Sequence, residues 1–418
     1  MGKLFRNWKI SLFFLCAIVS HESIARTITV SKSGANKTIK KAIQKAQDKD
    51  TILILSGVYR EGAIKIDKSL TIIGKNFPII DGENKYENLL VEHDNVTIQG
   101  VLFKNSGSSS YMDIAALKVQ NCKNVRVIGN RFENNFFGIH CMNSSYGRFE
   151  NNELISGKME GKPAANGIHC WKSNNLVVKN NTITGHRDGI YFEFVTHSFI
   201  ENNKSIKNKR YGLHFMFSHD DTYRHNTIQG NGAGVAVMYS KRVKMYNNTF
   251  SDNWGNAAYG ILLKEISDSH IDRNHFEQNT IAIFAEGSNR VTMVNNEFLK
   301  NGWALKIQSN CSDIAVHNNN FIGNTFDVAT NGNLALNMFD GNYWDKYEGY
   351  DLNRDGIGDI PHRPVTFYSV IIERNPGALM LFRSFFVKLM DKAENAFPNL
   401  TPENLKDNKP KIKKLKIH

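Results

Sequence analysis

His186-Arg-Asp-Gly-Ile-Tyr-Phe-Glu193, Arg210-Tyr-Gly-Leu-His-Phe-Met216 and Gly232-Ala-Gly-Val-Ala-Val-Met238 are three versions of one segment. They align on Gly189, Gly212 and Gly234. One and three residues beyond each glycine stand Ile190 and Phe192, Leu213 and Phe215, Val235 and Val237. Two and four residues beyond stand Tyr191 and Glu193, His214 and Met216, Ala236 and Met238. Side chains of a strand alternate between its faces. The first set therefore faces a core, and the second presents an outward column rich in His, Met and Tyr.

The same register continues in both directions. Marks fall at Ala116, Gly138, Gly167, Gly260, Ala282 and Ala304, so the spacings from 116 to 304 are 22, 29, 22, 23, 22, 26, 22 and 22 residues. A second mark keeps the same period: Asn130, Asn152, Asn181, Asn203, Asn226, Asn248, Asn274, Asn296, Asn319 and Asn342. Two marks on one period define a solenoid. A repeat of about 22 residues, at ~3.3 Å per strand residue, fits one coil of three short strands. The runs between turns are rich in Val, Ile and Phe and too short for helices. Asn suits the turns because it tolerates left-handed backbone. The expectation is an all-β parallel β-helix whose stacked turns align the asparagines into a ladder. A leucine-rich repeat has a similar period, but its leucine pattern and helical halves are absent.

Residues 1–25 read as a secretory signal: Lys3, Arg6 and Lys9, then the short apolar run Ile10 to Ser20, then small residues at Ser23 and Ala25. Export to the periplasm follows, and the run is too short for a membrane span. Thr38 to Asp48 carries Ile39, Ala42, Ile43 and Ala46 on one helical face, which suits a plug for the open end of a coil. Residues 26–360 form the coil domain. Residues 361–418 are a C-terminal extension with a 14-residue apolar stretch at 377–390 and a Lys-rich end. The apolar stretch has three open uses: coil cap, membrane-surface contact, or dock for a membrane partner. The Lys-rich end reads as disordered. The formal net charge is +12, of which residues 1–25 contribute +2 and residues 406–418 contribute +5, leaving +5 for the body. No stripe of Arg and aromatics suits nucleic acid.

The outward column runs His140/Met142, His169/Trp171, Tyr191/Glu193, His214/Met216 and Ala236/Met238. Imidazole with thioether suits copper, and thioether favours Cu(I). His214, Met216, Met238, His169, His140 and Met142 are the candidate copper ligands, with Tyr191, Glu193 and Trp171 as partner-contact candidates. Two other readings stay open: an apolar-aromatic patch for another protein, and a column buried under the loop at 156–165. Of the four cysteines after the signal, Cys141 and Cys170 fall in register on successive turns. They read as small core residues, a disulfide or metal ligands. Near the end of the coil, Asp351, Asn353, Asp355 and Asp359, with Gly356 at the turn, approximate a Ca²⁺ loop whose closing Glu is missing. The competing reading is a turn in which the carboxylates bind their own backbone.

His186-Arg-Asp-Gly-Ile-Tyr191, Arg210 to Met216, Val237-Met-Tyr-Ser240 and Asn342-Tyr-Trp with Asp351 and Asp355-Gly-Ile-Gly-Asp359 resemble the NosD family of nitrous oxide reductase maturation proteins. The likeness covers essentially the whole chain after the signal. It implies a periplasmic right-handed parallel β-helix, and with a single sparse acid-base cluster in the sequence the chain is not expected to be an enzyme. It also implies an ABC-type ATPase (NosF) and permease (NosY) at the inner membrane as partners, and a copper lipoprotein (NosL) as donor. The client would be apo nitrous oxide reductase, whose copper-sulfur centre is assembled. The resemblance assigns no ligands; those come from the register. The competing class is a polysaccharide lyase, hydrolase or epimerase, since parallel β-helices often carry sugar chemistry. Its one acid-base cluster would be Glu193, Asp188, Arg187 and Arg210, although Asp188 is also placed to pair with Arg210.

Overall fold

A computed structural model describes residues 25–157, 164–255, 257–332, 336–382, 384, 385, 387, 389, 390 and 405–417. Residues 1–24, where a secretory signal is expected, and the tip of the 156–165 loop lie outside the described residues. Three parallel sheets of 14, 13 and 12 strands wind together into a β-solenoid of about 13 turns. Each strand pairs with its equivalent one turn on, as Ile190 pairs with Leu213 and Leu213 with Val235. The first sheet runs from Thr27–Val30 to Met338–Asp340, the second from Val58–Tyr59 to Tyr343–Trp344, and the third from Ile64–Ile66 to Phe326–Ala329.

Inward side chains fill the coil in columns. Phe250, Phe276, Phe298, Phe321 and Trp344 stack with centroids 4.8, 5.1, 4.9 and 4.1 Å apart. The expected asparagine ladder is present from Asn130 to Asn342. In each step the lower side-chain amide donates to the next Asn Oδ1, as from Asn203 to Asn226 at 3.0 Å, and to a core-strand carbonyl. The same Oδ1 also accepts the lower backbone N–H. A second ladder runs five residues further along each turn, through Asn208, Asn231, Asn253, Asn279, Asn301 and Asn324. These ladders satisfy turn groups that the strands leave unpaired. The glycine mark has a steric cause: a Cβ on Gly189 would lie 2.5 Å from the Gly212 carbonyl oxygen of the next turn.

The first turn is closed by α1 (Ile39–Lys45), shorter than the 38–48 expectation because the chain is extended from Ala46. Thr38 caps it, and Ile39, Ala42 and Ile43 are buried against the coil end. The last turn is closed differently, and here the sequence expectation of a disordered Lys-rich end is corrected. Residues 405–417 run back over the coil, with Asp407 bridged to Phe339 and His362 and Lys411 bridged to Tyr343 and Ile357. Asp407 is fully buried. Its Oδ2 accepts from Asn342 N at 2.9 Å, Asn342 Nδ2 at 3.0 Å and Trp344 Nε1 at 3.1 Å, while Oδ1 accepts from Gly341 N at 2.9 Å. The carboxylate thus stands where a further turn would supply an asparagine. Composition misled because the segment is fixed by the buried Asp407 together with backbone bonds such as Lys411 N to Asn342 O, the Asn320–Leu415 pair and the Lys414–Glu297 ion pair. Beyond the coil, α2 (Phe367–Arg374) lies over the outer face of the third sheet's last strands, burying Tyr368 and Ile372 against Phe326.

Candidate functional site

The register places the outward column as expected. On the third sheet His140 pairs with His169, His169 with Tyr191, Tyr191 with His214 and His214 with Ala236. One step along, Met142, Trp171, Glu193, Met216 and Met238 form a parallel row. Inward neighbours such as Ile190, Phe192, Phe215 and Val237 are buried and fix each strand. The rings stack along the coil, with centroids 4.8 Å apart for His140–His169, 4.7 Å for His169–Tyr191 and 4.6 Å for Tyr191–His214.

The column is not an open surface, which corrects the partner-contact reading of Tyr191. Tyr191 is 9%, His214 5% and His140 3% exposed. His169 and the whole second row are half-buried. Cover comes from long turns and from neighbouring outward rings. Ala165 packs with Ala115 and Phe137, Phe137 lies 5.4 Å from His140, and Tyr211 lies 4.8 Å from His214. Tyr191 donates its hydroxyl hydrogen to Met216 Sδ at 3.5 Å, so the two rows touch.

Asp188 anchors the far end. It is fully buried, accepts from Arg210 Nε at 2.8 Å and Tyr211 N at 3.3 Å, and faces His214 Nδ1 at 3.3 Å. Burial would raise its carboxyl pKa, but the hydrogen bonds from Arg210 and His214 outweigh that and hold it at about 2. Arg210 Nη2 lies 3.3 Å from the same Nδ1, so a guanidinium donor and a carboxylate acceptor both face it, and the ring's other nitrogen is Nε2. That Nε2 is buried with no hydrogen-bond partner. The same holds for His140 Nδ1 and for both ring nitrogens of His169. Burial pushes the His140 pKa down to about 4 and that of His169 down to about 3. Both imidazoles are therefore neutral, the form that ligates a metal. Among the described residues no three His, Cys, Asp or Glu side chains converge as a metal-holding group.

Asp188 and Arg210 were expected as a turn pair and are one; their contact with His214 was not foreseen. His186 was missed as a site residue. It stands five residues beyond Asn181, where later turns carry the second-ladder asparagine, and both its ring nitrogens are buried without a partner. Also missed were Phe194, Phe217 and Tyr239, stacked 5.0 Å apart in left-handed backbone (φ 54°, 49° and 54°) beside the Met row. Bulky residues are rare there. The signal was available as aromatics five residues beyond the three aligned glycines.

The remaining candidates go elsewhere. Cys122, Cys141, Cys170 and Cys311 are free thiols and buried; Cys141 and Cys170 sit inward on paired strands as core residues. In the acidic loop, Asp351 accepts from Asp355 N at 3.1 Å and Gly356 N at 2.9 Å, Asp355 from Ile357 N at 2.8 Å and Asp359 from Leu352 N at 2.8 Å. Asn353 accepts from Asp355 N and donates to Asp355 Oδ2, each at 3.1 Å. These ligand candidates bind their own loop, the arrangement that the self-bonded-turn reading expects. The acid-base reading of Asp188 fails on burial, since both its oxygens are held and enclosed.

Fold and site define a parallel β-solenoid with a buried ring-and-thioether column on one sheet. The coil is shared with sugar-active proteins: the exopolygalacturonase of Yersinia enterocolitica superposes with a TM-score of 0.57 at 12% identity, over 76% of this chain and 78% of its own. That likeness shows the fold alone. The model of the family described as "Periplasmic copper-binding protein (NosD)" matches residues 156–349. Relatives named as ABC transporter binding proteins NosD are 24% identical in Stutzerimonas stutzeri and 26% identical in Pseudomonas aeruginosa. Each match spans 84% of this chain and 85% of the relative. Family model and relatives agree in making this chain similar to the NosD family, the relatives over most of its length.

Proposed function

We propose that this chain is a non-enzymatic periplasmic accessory protein that handles Cu(I), as cargo, during assembly of the copper-sulfur centre of nitrous oxide reductase. It works with an ABC-type ATPase and permease of the NosF and NosY kind, with a NosL-type copper lipoprotein as donor. One observation carries the reading: neutral, buried imidazoles with unpartnered nitrogens, stacked at rung spacing beside a thioether row. His214 adds a feature common in metal ligands, a carboxylate beside the far ring nitrogen that orients the ring. His169, His140 and Met142 offer a set at one end of the column, and His214, Met216 and Met238 at the other. Tyr191, Glu193 and Trp171 lie between them and shape the approach.

The test is a His214→Ala, Met216→Ala, Met238→Ala variant in cells that make the reductase. Arg210 keeps Asp188 paired in it, so the coil folds. The expected reductase lacks its copper-sulfur centre. A reductase with full copper content and activity refutes the reading. A defect with unchanged Cu(I) titration of the isolated variant assigns the column to the client and not to the ion. The sugar-enzyme alternative rests on the shared coil, and oligosaccharide-degradation assays on the purified chain decide it.

A further inference from the structure

We propose that Asn166 is a positioning residue of the column: its carboxamide oxygen takes the ring N–H of His169 when that histidine gives its other nitrogen to Cu(I). The inference rests on the copper reading of the same column and adds a residue to it.

Asn166 is 0% exposed, and neither its Oδ1 nor its Nδ2 has a hydrogen-bond partner. Buried side-chain amides are paired in the large majority of cases, so a wholly unpaired one points to a group that it is built to meet. Register gives it a place. It stands in the row just before the glycine mark, between Phe137 one turn back and Asp188 one turn on. A Cβ on Gly167 would point into the core at Ile183 Cγ2, so the residue before it projects to the outer face. The column residue of each turn follows three places later. Where that step joins two rings, they touch: Phe137 lies 5.4 Å from His140, and Tyr211 lies 4.8 Å from His214. The same step leads from Asn166 to His169. Of His140, His169 and His214, only His169 has both ring nitrogens buried and unpartnered.

The two groups are complementary. A neutral imidazole has one N–H and one lone pair. Binding an ion uses the lone pair and leaves the N–H in need of an acceptor. Metal-bound histidines commonly give that hydrogen to a carboxylate or a carbonyl oxygen, which sets the ring and its tautomer. At His214 the carboxylate of Asp188 already lies beside the far nitrogen. At His169 the matching group is an uncharged amide, committed to no other bond. Its polar atoms bond to nothing in the fold itself. An apolar side chain of the same size would therefore remove two buried unpaired groups and leave the coil at least as stable. That separates positioning from packing, because the two roles give opposite signs in a melt.

The test compares Asn166→Leu and Asn166→Asp with wild type in the purified chain from Arg26 onward. Cu(I) affinity is read by competition with a chromophoric chelator, stability by a thermal melt, and the His169 tautomer by nitrogen NMR of labelled histidine in the Cu(I)-loaded chain. Asn166→Leu should melt no lower than wild type and bind Cu(I) roughly tenfold or more weakly. Asn166→Asp keeps the acceptor oxygen and should recover most of that affinity. His169 should hold one tautomer in wild type and Asn166→Asp, and a mixture in Asn166→Leu. Equal Cu(I) affinity of wild type and Asn166→Leu overturns the proposal and leaves the copper reading standing. So does a weaker Asn166→Leu whose His169 tautomer is that of wild type. A Leu variant that melts early, with an affinity that Asp does not restore, overturns it as well, because the amide then serves the fold. A wild-type chain that takes up no Cu(I) refutes the copper reading, and the role of Asn166 falls with it.

Discussion

Asp407 is the sharpest place to perturb the fold. Its carboxylate holds four donors of the last turn: Gly341 N, Asn342 N, Asn342 Nδ2 and Trp344 Nε1. In Asp407→Ala all four lose their acceptor at once. A buried donor left unmade costs about 1–3 kcal/mol, but groups at a coil end regain some water. A loss of about 3–5 kcal/mol in the local stability of the last turn and the strap follows. Because solenoid turns couple to neighbours only, the effect is confined to the C-terminal end, and a global melting temperature is the wrong readout. Hydrogen exchange at Gly341, Asn342 and residues 405–417 reads it directly. Exchange there should quicken by about two to three and a half powers of ten, while amides near Asn203 are unchanged. Asp407→Asn restores a ladder-like oxygen to Asn342 and should recover at least half of the loss. Unchanged exchange in Asp407→Ala would mean that the carboxylate is not the clasp.

Other perturbations test other levels. Asn226→Ala removes acceptors for Asn203 N and Nδ2 and donors to Ile200 O and Asn248 Oδ1; denaturant titration should show a loss of about 2–4 kcal/mol, and a change under 0.5 kcal/mol contradicts the ladder's role. The histidines set an acid response. His140, His169 and His186 have pKa values lowered by burial to about 4, 3 and 4, whereas in the unfolded chain they titrate near 6.5. The unfolded state therefore binds more protons, and stability is lost as pH falls from about 6.5 towards 4. Unfolding near pH 5 should take up about three protons from these groups, and about one fewer in His186→Gln. Asp188, held at about 2, adds stability above its unfolded value near 3.9 that is lost only as pH falls through 2. Gly189→Ala should unfold or expel a turn, since its Cβ would meet the Gly212 carbonyl; a folded chain with wild-type protease resistance contradicts that steric account.

The coil was legible because its code is local. Inward alternation, a glycine where the next turn's carbonyl comes close, and an asparagine at each turn all repeat within 22 to 29 residues. The second ladder was equally readable, five residues on from the first, and was overshadowed by it. Burial of the column was not readable. Its cover comes from long turns and from rings such as Phe137 and Tyr211, whose contact with His140 and His214 depends on how turns stack. Asp407 lies 65 residues from Asn342 in the chain, and no period announces it. The acidic loop shows the limit of motif reading: residue types that suit Ca²⁺ also suit a turn that bonds to itself, as this one does.

The column's claim on copper is tested most directly by Cu(I) titration of the purified chain, with X-ray absorption at the copper edge. Wild type should bind Cu(I) through imidazole nitrogen and thioether sulfur. A variant with His140, His169 and His214 changed to Gln should lose the nitrogen ligands and weaken binding by at least tenfold. Binding through sulfur alone, untouched by these changes, or no binding at all, would contradict the account.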